Sequence, residues 1–340
     1  MSIDTKTFHT FFIILIFARL NVFAQDIHFS QFFLSPVSLN PALSGNHSGE
    51  WRLADVYRNQ WFTLKYPFKS HYFSFDKQLF LRKNKLSYGL SLVDDNSGDD
   101  VYHLSKYFLN LSWHPDLGKN HFHLGVQTGY VIRKYDFTKL TFPDQYDKIS
   151  GYYDPTFPTA DAGLSQKIDY YDLNAGISWN KSFHNIRPEA GIAFFHINRP
   201  KESFNNRQNF LPLRKTAFFR LSFPLSEKWI VTPSWMFSEM NKASEMLSGF
   251  YFNFKTNQLK NSLKSINTGV FLRNGFDRNV DALIFMTGLS YRKFDLGLGY
   301  DINISGLGKY TTYQGAVEIT LIYTAINKVF DQYKIPCERF

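Results

Sequence analysis

The sequence predicts an all-β fold: a transmembrane antiparallel β-barrel of about 14 strands, with an irregular N-terminal segment packed in or under it. Three observations predict it. Aromatic residues make up 18% of the 340, with 36 Phe and 20 Tyr, yet mean hydropathy is only −0.28. A barrel wall with lipid on one side and polar groups on the other needs that combination, whereas a soluble core has difficulty hiding so many rings. Period-two alternation recurs from about residue 50 to 324. After an apolar leader, no stretch approaches the roughly 18 consecutive apolar residues of a membrane helix.

The elements follow in order. Residues 1–24 read as a signal peptide. Lys6 and His9 precede the apolar run Phe11 to Phe17, and Val22-Phe23-Ala24 supplies small residues for cleavage before Gln25. Residues 25–49, beginning QDIHFSQFFLSPVSLNPALSG, keep neither a helical nor a strand period. Pro36 and Pro41 each remove a backbone donor, and Asn40-Pro41 favours a turn. Phe29, Phe32, Phe33 and Leu34 still need burial, which the periplasmic mouth or lumen of a barrel provides.

Residues 50–324 carry the strands. Leu86, Tyr88, Leu90 and Leu92 alternate with Ser87, Gly89 and Ser91; Tyr171, Leu173, Ile177 and Trp179 oppose Asp172, Asn174 and Ser178; Val317, Ile319, Leu321 and Tyr323 oppose Glu318 and Thr320. The expected arrangement is apolar side chains outward and polar ones inward. With a periplasmic N-terminus the odd-numbered connections face outward and should be long. The fifth, Asp136 to Asp169, and the seventh, Asn198 to Arg214, are the longest, while Arg292-Lys293 is among the short even ones. Residues 325–340 form a C-terminal tail holding Cys337, the only cysteine, so an intramolecular disulfide is impossible.

The formal charge of +9 suits outer-membrane lipid or an acidic partner, and export makes nucleic acid an improbable ligand. No catalytic, cofactor or metal set is expected. His121 and His123 share a strand face but lack a third ligand, so a solvated turn is the plainer reading. His196 has no fixed Ser and Asp partners and reads as a rim hydrogen bond. In DDNSGDD, Asp94 to Asp100, an EF-hand register puts Gly98 fifth and Ser105 twelfth, where acidic or amide ligands belong, so an outward acidic hairpin turn is expected. The fifth connection offers the better contact surface, through Asp144, Tyr146, Asp147, Tyr152, Tyr153, Asp154 and Phe157. Its alternative is a loop folded over the barrel's own mouth.

Ordered motifs then resemble a known family. Phe29-Ser30-Gln31 and Asn40-Pro41-Ala42 with Gly45 lie in DIHFSQFFLSPVSLNPALSG. YRNQW follows, with Tyr57, Arg58, Gln60 and Trp61, then DNSG, with Asp95 and Gly98. YYDLNAGISW, HINRPKESF with His196 and Pro200, FLRNGFDRNVDA, and LGYDINISGL with Asp301 complete the order. The set resembles the PorP/SprF family of type IX secretion outer-membrane proteins, from Gln25 to Phe340. The tail IPCERF is similar to the family's ending but has Glu338 where proline is usual. The resemblance implies a non-enzymatic barrel in the secretion and gliding apparatus of Bacteroidota. Its implied partners are periplasmic and lipoprotein components and a secreted surface adhesin or that adhesin's C-terminal domain. The competing function is a general porin or transport barrel.

Overall fold

The computed structural model describes residues 26–81, 84–98, 101–137, 140–159, 166–204, 208–256, 263–275, 280–306 and 308–325. The expected signal peptide and the tail beyond Ala325 lie outside the described residues. Fifteen strands follow one another: β1 (Trp51–Gln60), β2 (Phe68–Leu81), β3 (Asn84–Ser97), β4 (Tyr102–Trp113), β5 (Asp116–Leu117), β6 (Asn120–Tyr135), β7 (Lys167–Lys181), β8 (Arg187–Phe195), β9 (Arg214–Pro224), β10 (Trp229–Met240), β11 (Ala243–Lys255), β12 (Leu263–Asn274), β13 (Val280–Tyr291), β14 (Phe294–Asn303) and β15 (Gln314–Thr324). Neighbours in sequence pair antiparallel, β1 pairs with β15, and β4 pairs directly with β6. The result is a closed barrel of fourteen strands, with the two-residue β5 as an added hairpin arm on β6. Closure leaves no edge, which a spanning sheet requires.

The alternation read from the sequence sets the two faces. On β4, Leu109, Leu111 and Trp113 are exposed outward, while Asn110 and Ser112 are buried inward. On β7, Tyr171 and Leu173 face out against buried Asp172 and Asn174. Connections also sort by end. Those at the end where β1 begins are short, the longest running from Lys255 to Leu263, while the three longest, between β6 and β7, β8 and β9, and β14 and β15, belong to the other end. Aromatic side chains collect near the short turns: Trp51 lies 5.0 Å from Tyr323, Phe294 5.0 Å from Tyr323 and Trp229 4.9 Å from Phe254. Tyr130 beside Tyr171 and Trp61 beside Phe68 stand near the opposite end. Rings at both margins of an apolar band are the girdles of a membrane barrel.

The segment before β1 runs inside the barrel. Each proline starts a single turn: helix α1 (Pro36–Leu39), then a 3₁₀ turn (Pro41–Leu43). Neither turn can extend into the next, because Asn40 between them is extended, with φ −158° and ψ 123°. Phe32, Leu39 and Leu43 pack on Phe218, Met236, Leu247, Phe271 and Ile284 of the wall, and Phe29 packs on Val56 and Tyr72. The rings that looked out of place in an irregular segment form the apolar centre of the lumen.

Candidate functional site

The plug runs along the lumen from the long-loop end to the short-turn end. Asp26 meets residues near the long-loop end, whereas Gly45 meets Asp76 and Gln78 near the short turns. Four polar stations fasten it along the way.

The first holds Asp26. Its carboxylate contacts Lys106 Nζ, Arg214 Nη1 at 3.2 Å and His196 Nε2 at 3.5 Å. Burial opposes the charge, but Lys106, Arg214 and His196 overcome it and hold the carboxyl well below the usual range. His196 is therefore no rim residue. It is buried, with φ 60°, and its Nδ1 lies 2.9 Å from Asp172 while Asn174 accepts its backbone N–H at 2.8 Å. Pro200, also buried, accepts from the Leu211 N–H at 2.9 Å and folds the same loop down.

The second station explains the F-S-Q motif. Glu318 of β15 accepts the Ser30 N–H at 2.6 Å and the Gln31 N–H at 2.9 Å, one in each oxygen. Ser30 Oγ donates to Asp301 at 2.8 Å and accepts from Arg58 Nη1 at 2.8 Å. Arg58 also binds Glu318 at 2.6 Å and Asp301 at 3.0 Å, and Arg273 reaches Asp301 at 3.0 Å. Gln60 accepts from Arg58 at 3.4 Å. Two cations and two carboxylates thus enclose two plug N–H groups that no strand could satisfy. Between the first two stations, burial, with Arg58, Arg273 and Arg214 nearby, pushes His28 well below its ordinary value, so the imidazole is neutral.

The third station is Asn40, fully buried. Its Oδ1 caps the Ala42 N–H at 2.9 Å, and its Nδ2 donates to the carbonyls of Ile177 at 3.1 Å and Ile192 at 3.0 Å. The wall makes room with glycine: a Cβ on Gly176 would overlap Asn40 Oδ1, and one on Gly125 would overlap the Pro41–Ala42 backbone. Asn-Pro-Ala and two wall glycines form one fit.

The fourth lies at the short turns. Gly45, at φ 74°, donates its N–H to Asp76 at 2.5 Å, and Arg52 grips the same carboxylate through two bonds of 3.0 and 2.9 Å. Beside it runs a directional chain. Asn180 Nδ2 faces His123 Nε2 at 2.8 Å, His123 Nδ1 faces His114 Nδ1 at 2.7 Å, and His114 Nε2 faces Ser87 Oγ at 3.0 Å. Ser87 donates onward to the Ser44 carbonyl at 2.7 Å. An amide nitrogen only donates, so His123 gives its Nδ1 proton to His114, and His114 gives its Nε2 proton to Ser87. Burial, aided by His123 and Lys85, lowers His114 to about 3. His123 is consequently not a solvated turn residue, although His121 is, bonded to Asp116 at 2.5 Å. Among the described residues no group of three or more His, Cys, Asp or Glu is placed to hold a metal.

One further motif residue departs from expectation. Asp95 is no solvated acidic tip: it is buried in β3 and accepts from Ser70 at 2.5 Å. Gly98, at φ 67°, accepts the Val101 N–H at 3.2 Å, and Asp99 and Asp100 of the expected acidic turn lie outside the described residues. In YRNQW, Tyr57 faces outward and Trp61, at φ 54°, turns the chain while donating its N–H to Gly315 at 2.6 Å.

At the long-loop end, residues 145–154 form a small hairpin. Tyr146 bridges Tyr153 with ring centroids 5.2 Å apart, and the Asp147 N–H donates to Tyr152 at 2.9 Å. Asp147 caps the N–H groups of Ile149 and Ser150, and Asp154 that of Thr156, which lowers both carboxyls. Buried Gln145 braces the base through the carbonyls of Pro155 and Phe157. A 3₁₀ turn (Pro143–Gln145) containing Asp144 leads into the hairpin. The hairpin tip presents two exposed apolar side chains, Ile149 at 98% and Tyr152 at 77%. Ile149 escaped the sequence reading, although one isoleucine between Lys148 and Ser150 is the available signal. Lys106, Arg214, Arg273 and Glu318 were also missed as plug contacts; their signal is a charge at an inward strand position.

With this geometry in place, the comparison with known families decides the membership. Residues 21–323 match the family described as type IX secretion system membrane protein PorP/SprF. The chain belongs to the PorP/SprF family. No curated protein matches it. Among solved structures it resembles a TodX monoaromatic hydrocarbon channel mutant (TM-score 0.52, 12% identity, 87% of this chain and 94% of that one). It also resembles the P. putida toluene transporter TodX (0.51, 10%, 84% and 92%) and the Ralstonia pickettii toluene transporter TbuX (0.50, 10%, 85% and 92%). At such identities these likenesses establish the barrel fold alone. This PorP/SprF member is a membrane barrel of the type IX secretion class, and its fold and family support an outer-membrane location.

Proposed function

We propose that this barrel serves type IX secretion by holding a partner protein at the cell surface or assisting its export, and that it does so as an occluded scaffold. The partner class favoured is a large secreted adhesin or its C-terminal domain, met at the long-loop end, with periplasmic and lipoprotein components met at the short-turn end. The observation that carries this reading is the plug. Residues 26–45 fill the lumen and are fastened by four buried polar stations, which suits a docking platform better than a diffusion pore. The hairpin, with Ile149 and Tyr152 near its tip and Tyr146 paired with Tyr153 below them, supplies rings and an aliphatic side chain of the kind that anchors protein contacts. Export would use the cleavable leader read at residues 1–24. The test is co-purification in mild detergent from cells. The reading expects an exported partner to be retained with the native chain and reduced at least about tenfold by Ile149→Ser with Tyr152→Ser. Equal recovery by the variant would remove the hairpin from the account.

A further inference from the structure

The outward face of β1 and β2 carries an acid and an imidazole where the wall should be apolar. Asp55 Oδ1 lies 2.6 Å from His71 Nε2, and the two side chains are 44% and 54% exposed. Trp51 and Trp61 mark the two aromatic margins along this strand. They stand four and six residues from Asp55, about 10 and 15 Å in height for a tilted strand. The carboxylate is therefore close to the middle of an apolar band about 25 Å tall. Across the ladders it faces Leu321 and Phe73. Leu109, Val126, Ile192 and Leu298, outward near the middle of β4, β6, β8 and β14, are exposed and apolar. By contrast, the pair Lys77 and Glu50 is level with Trp51, and His103 meets Asp94 near the long-loop ends of β4 and β3. Asp55 Oδ2 and His71 Nδ1 make no hydrogen bond among the described residues.

We infer that a second, different membrane-spanning protein covers this strip of wall and presents hydrogen-bond donors to Asp55 at mid-bilayer height. An ionisable side chain at such depth is costly against hydrocarbon and is kept where something polar meets it. Depth selects the occupant. Lipid headgroups end at the aromatic margins, about 10 Å or more away, and acyl chains carry no donor. A chain that reaches the middle of a bilayer must satisfy its own backbone, as a helix or a closed barrel. Chemistry selects the side chain it brings. With Nε2 donating to the carboxylate, the neutral imidazole leaves Nδ1 as a second acceptor beside Asp55 Oδ2, so the strip calls for donors such as a guanidinium or hydroxyls. A second copy does not supply them. Two copies that cross in the same sense share a two-fold axis along the membrane normal, which preserves height and sets Asp55 against Asp55. The inference rests on the barrel's place in a membrane and is independent of the Ile149 hairpin.

The test places the photo-crosslinker benzoylphenylalanine in the full chain in cells, either at Tyr57, whose ring stands 6.4 Å from His71, or at Ile192 across the barrel. Irradiation should give one discrete adduct with a different protein from position 57 and none from position 192. Asp55→Leu with His71→Leu should cut that adduct at least about tenfold, as loss of a charge-assisted hydrogen bond does. Asp55→Glu keeps the acceptor and should retain it. Purified alone in liposomes, the Leu pair should match or exceed the parent's urea midpoint on gels, because without a partner the polar pair only burdens the wall. The single change Asp55→Leu covers the case in which the pair fails to insert, with heat-dependent gel mobility confirming the fold of each. Lipid adducts only, an adduct of two copies of this chain, an equal adduct from position 192, an adduct unchanged in the folded Leu variants, or a lowered midpoint for the purified pair would overturn the assignment.

Discussion

Arg58 on the first strand and Asp301 on the penultimate one meet at 3.0 Å, both almost fully buried, and the Ser30 hydroxyl of the plug bonds to each of them. Plug and barrel closure thus share one charge network. A buried ion pair contributes little net stability, yet removing one partner leaves the other charge stranded, typically at a cost of about 3–5 kcal/mol. Asp301→Ala should therefore lower the urea midpoint of the folded form on gels far more than Asp281→Ala. Asp281 bonds the same Arg273 but is solvent-exposed. Equal midpoints for the two variants would show that the buried network does not matter.

Deleting Phe29 to Leu34 removes the plug half of that network but leaves Arg58, Arg273, Asp301 and Glu318 to pair with one another. The deletion protein should reach the outer membrane with a reduced folded yield and gain ion conductance. Changing Phe29, Phe32 and Phe33 to Ser keeps the backbone and loses on the order of 1.5–3 kcal/mol per ring. It should give a milder form of the same defect. A closed lumen in both variants would count against the plug.

Wall glycines allow a sharper separation of plug from barrel. Gly176→Val puts a side chain where Asn40 sits without touching a ladder bond, whereas a Cβ on Gly306 meets open space. Gly176→Val should conduct and show faster proteolysis of residues 26–45. Gly306→Ala should behave as the parent does.

The pH dependence has a defined sign. His114 is held at about 3 by burial, His123 and Lys85, whereas the unfolded chain binds that proton near 6.5. Between those values the unfolded state carries more protons, so stability is fully present above about 6.5 and is lost as pH falls toward 3. Protonation would also set two donors against each other at the His114–His123 contact. The urea midpoint should fall between pH 7 and 5, and His114→Gln should flatten that slope. An unchanged slope in the variant would assign the loss to other groups.

Much of this architecture was legible. Alternation such as Leu109, Leu111 and Trp113 against Asn110 and Ser112 set faces and strand count because a spanning strand has only two surroundings. Loop length sorted the two ends. Bulk without periodicity marked Phe29 to Leu34 as buried in something nonlocal. What stayed hidden was pairing across long separations. Ser30 with Glu318 and Asn40 with Ile192 join residues 288 and 152 apart, and no local pattern encodes such contacts. The same blindness left Asp95 and His123 looking like solvated turn residues, since their burial depends on partners from other strands and from the plug.

The central claim is that the plug closes this barrel, and its most direct test is ion conductance of the purified full chain in a planar bilayer. The account predicts no steady conductance above background for the parent and discrete openings for the Phe29 to Leu34 deletion. Stable open channels in the parent would contradict it.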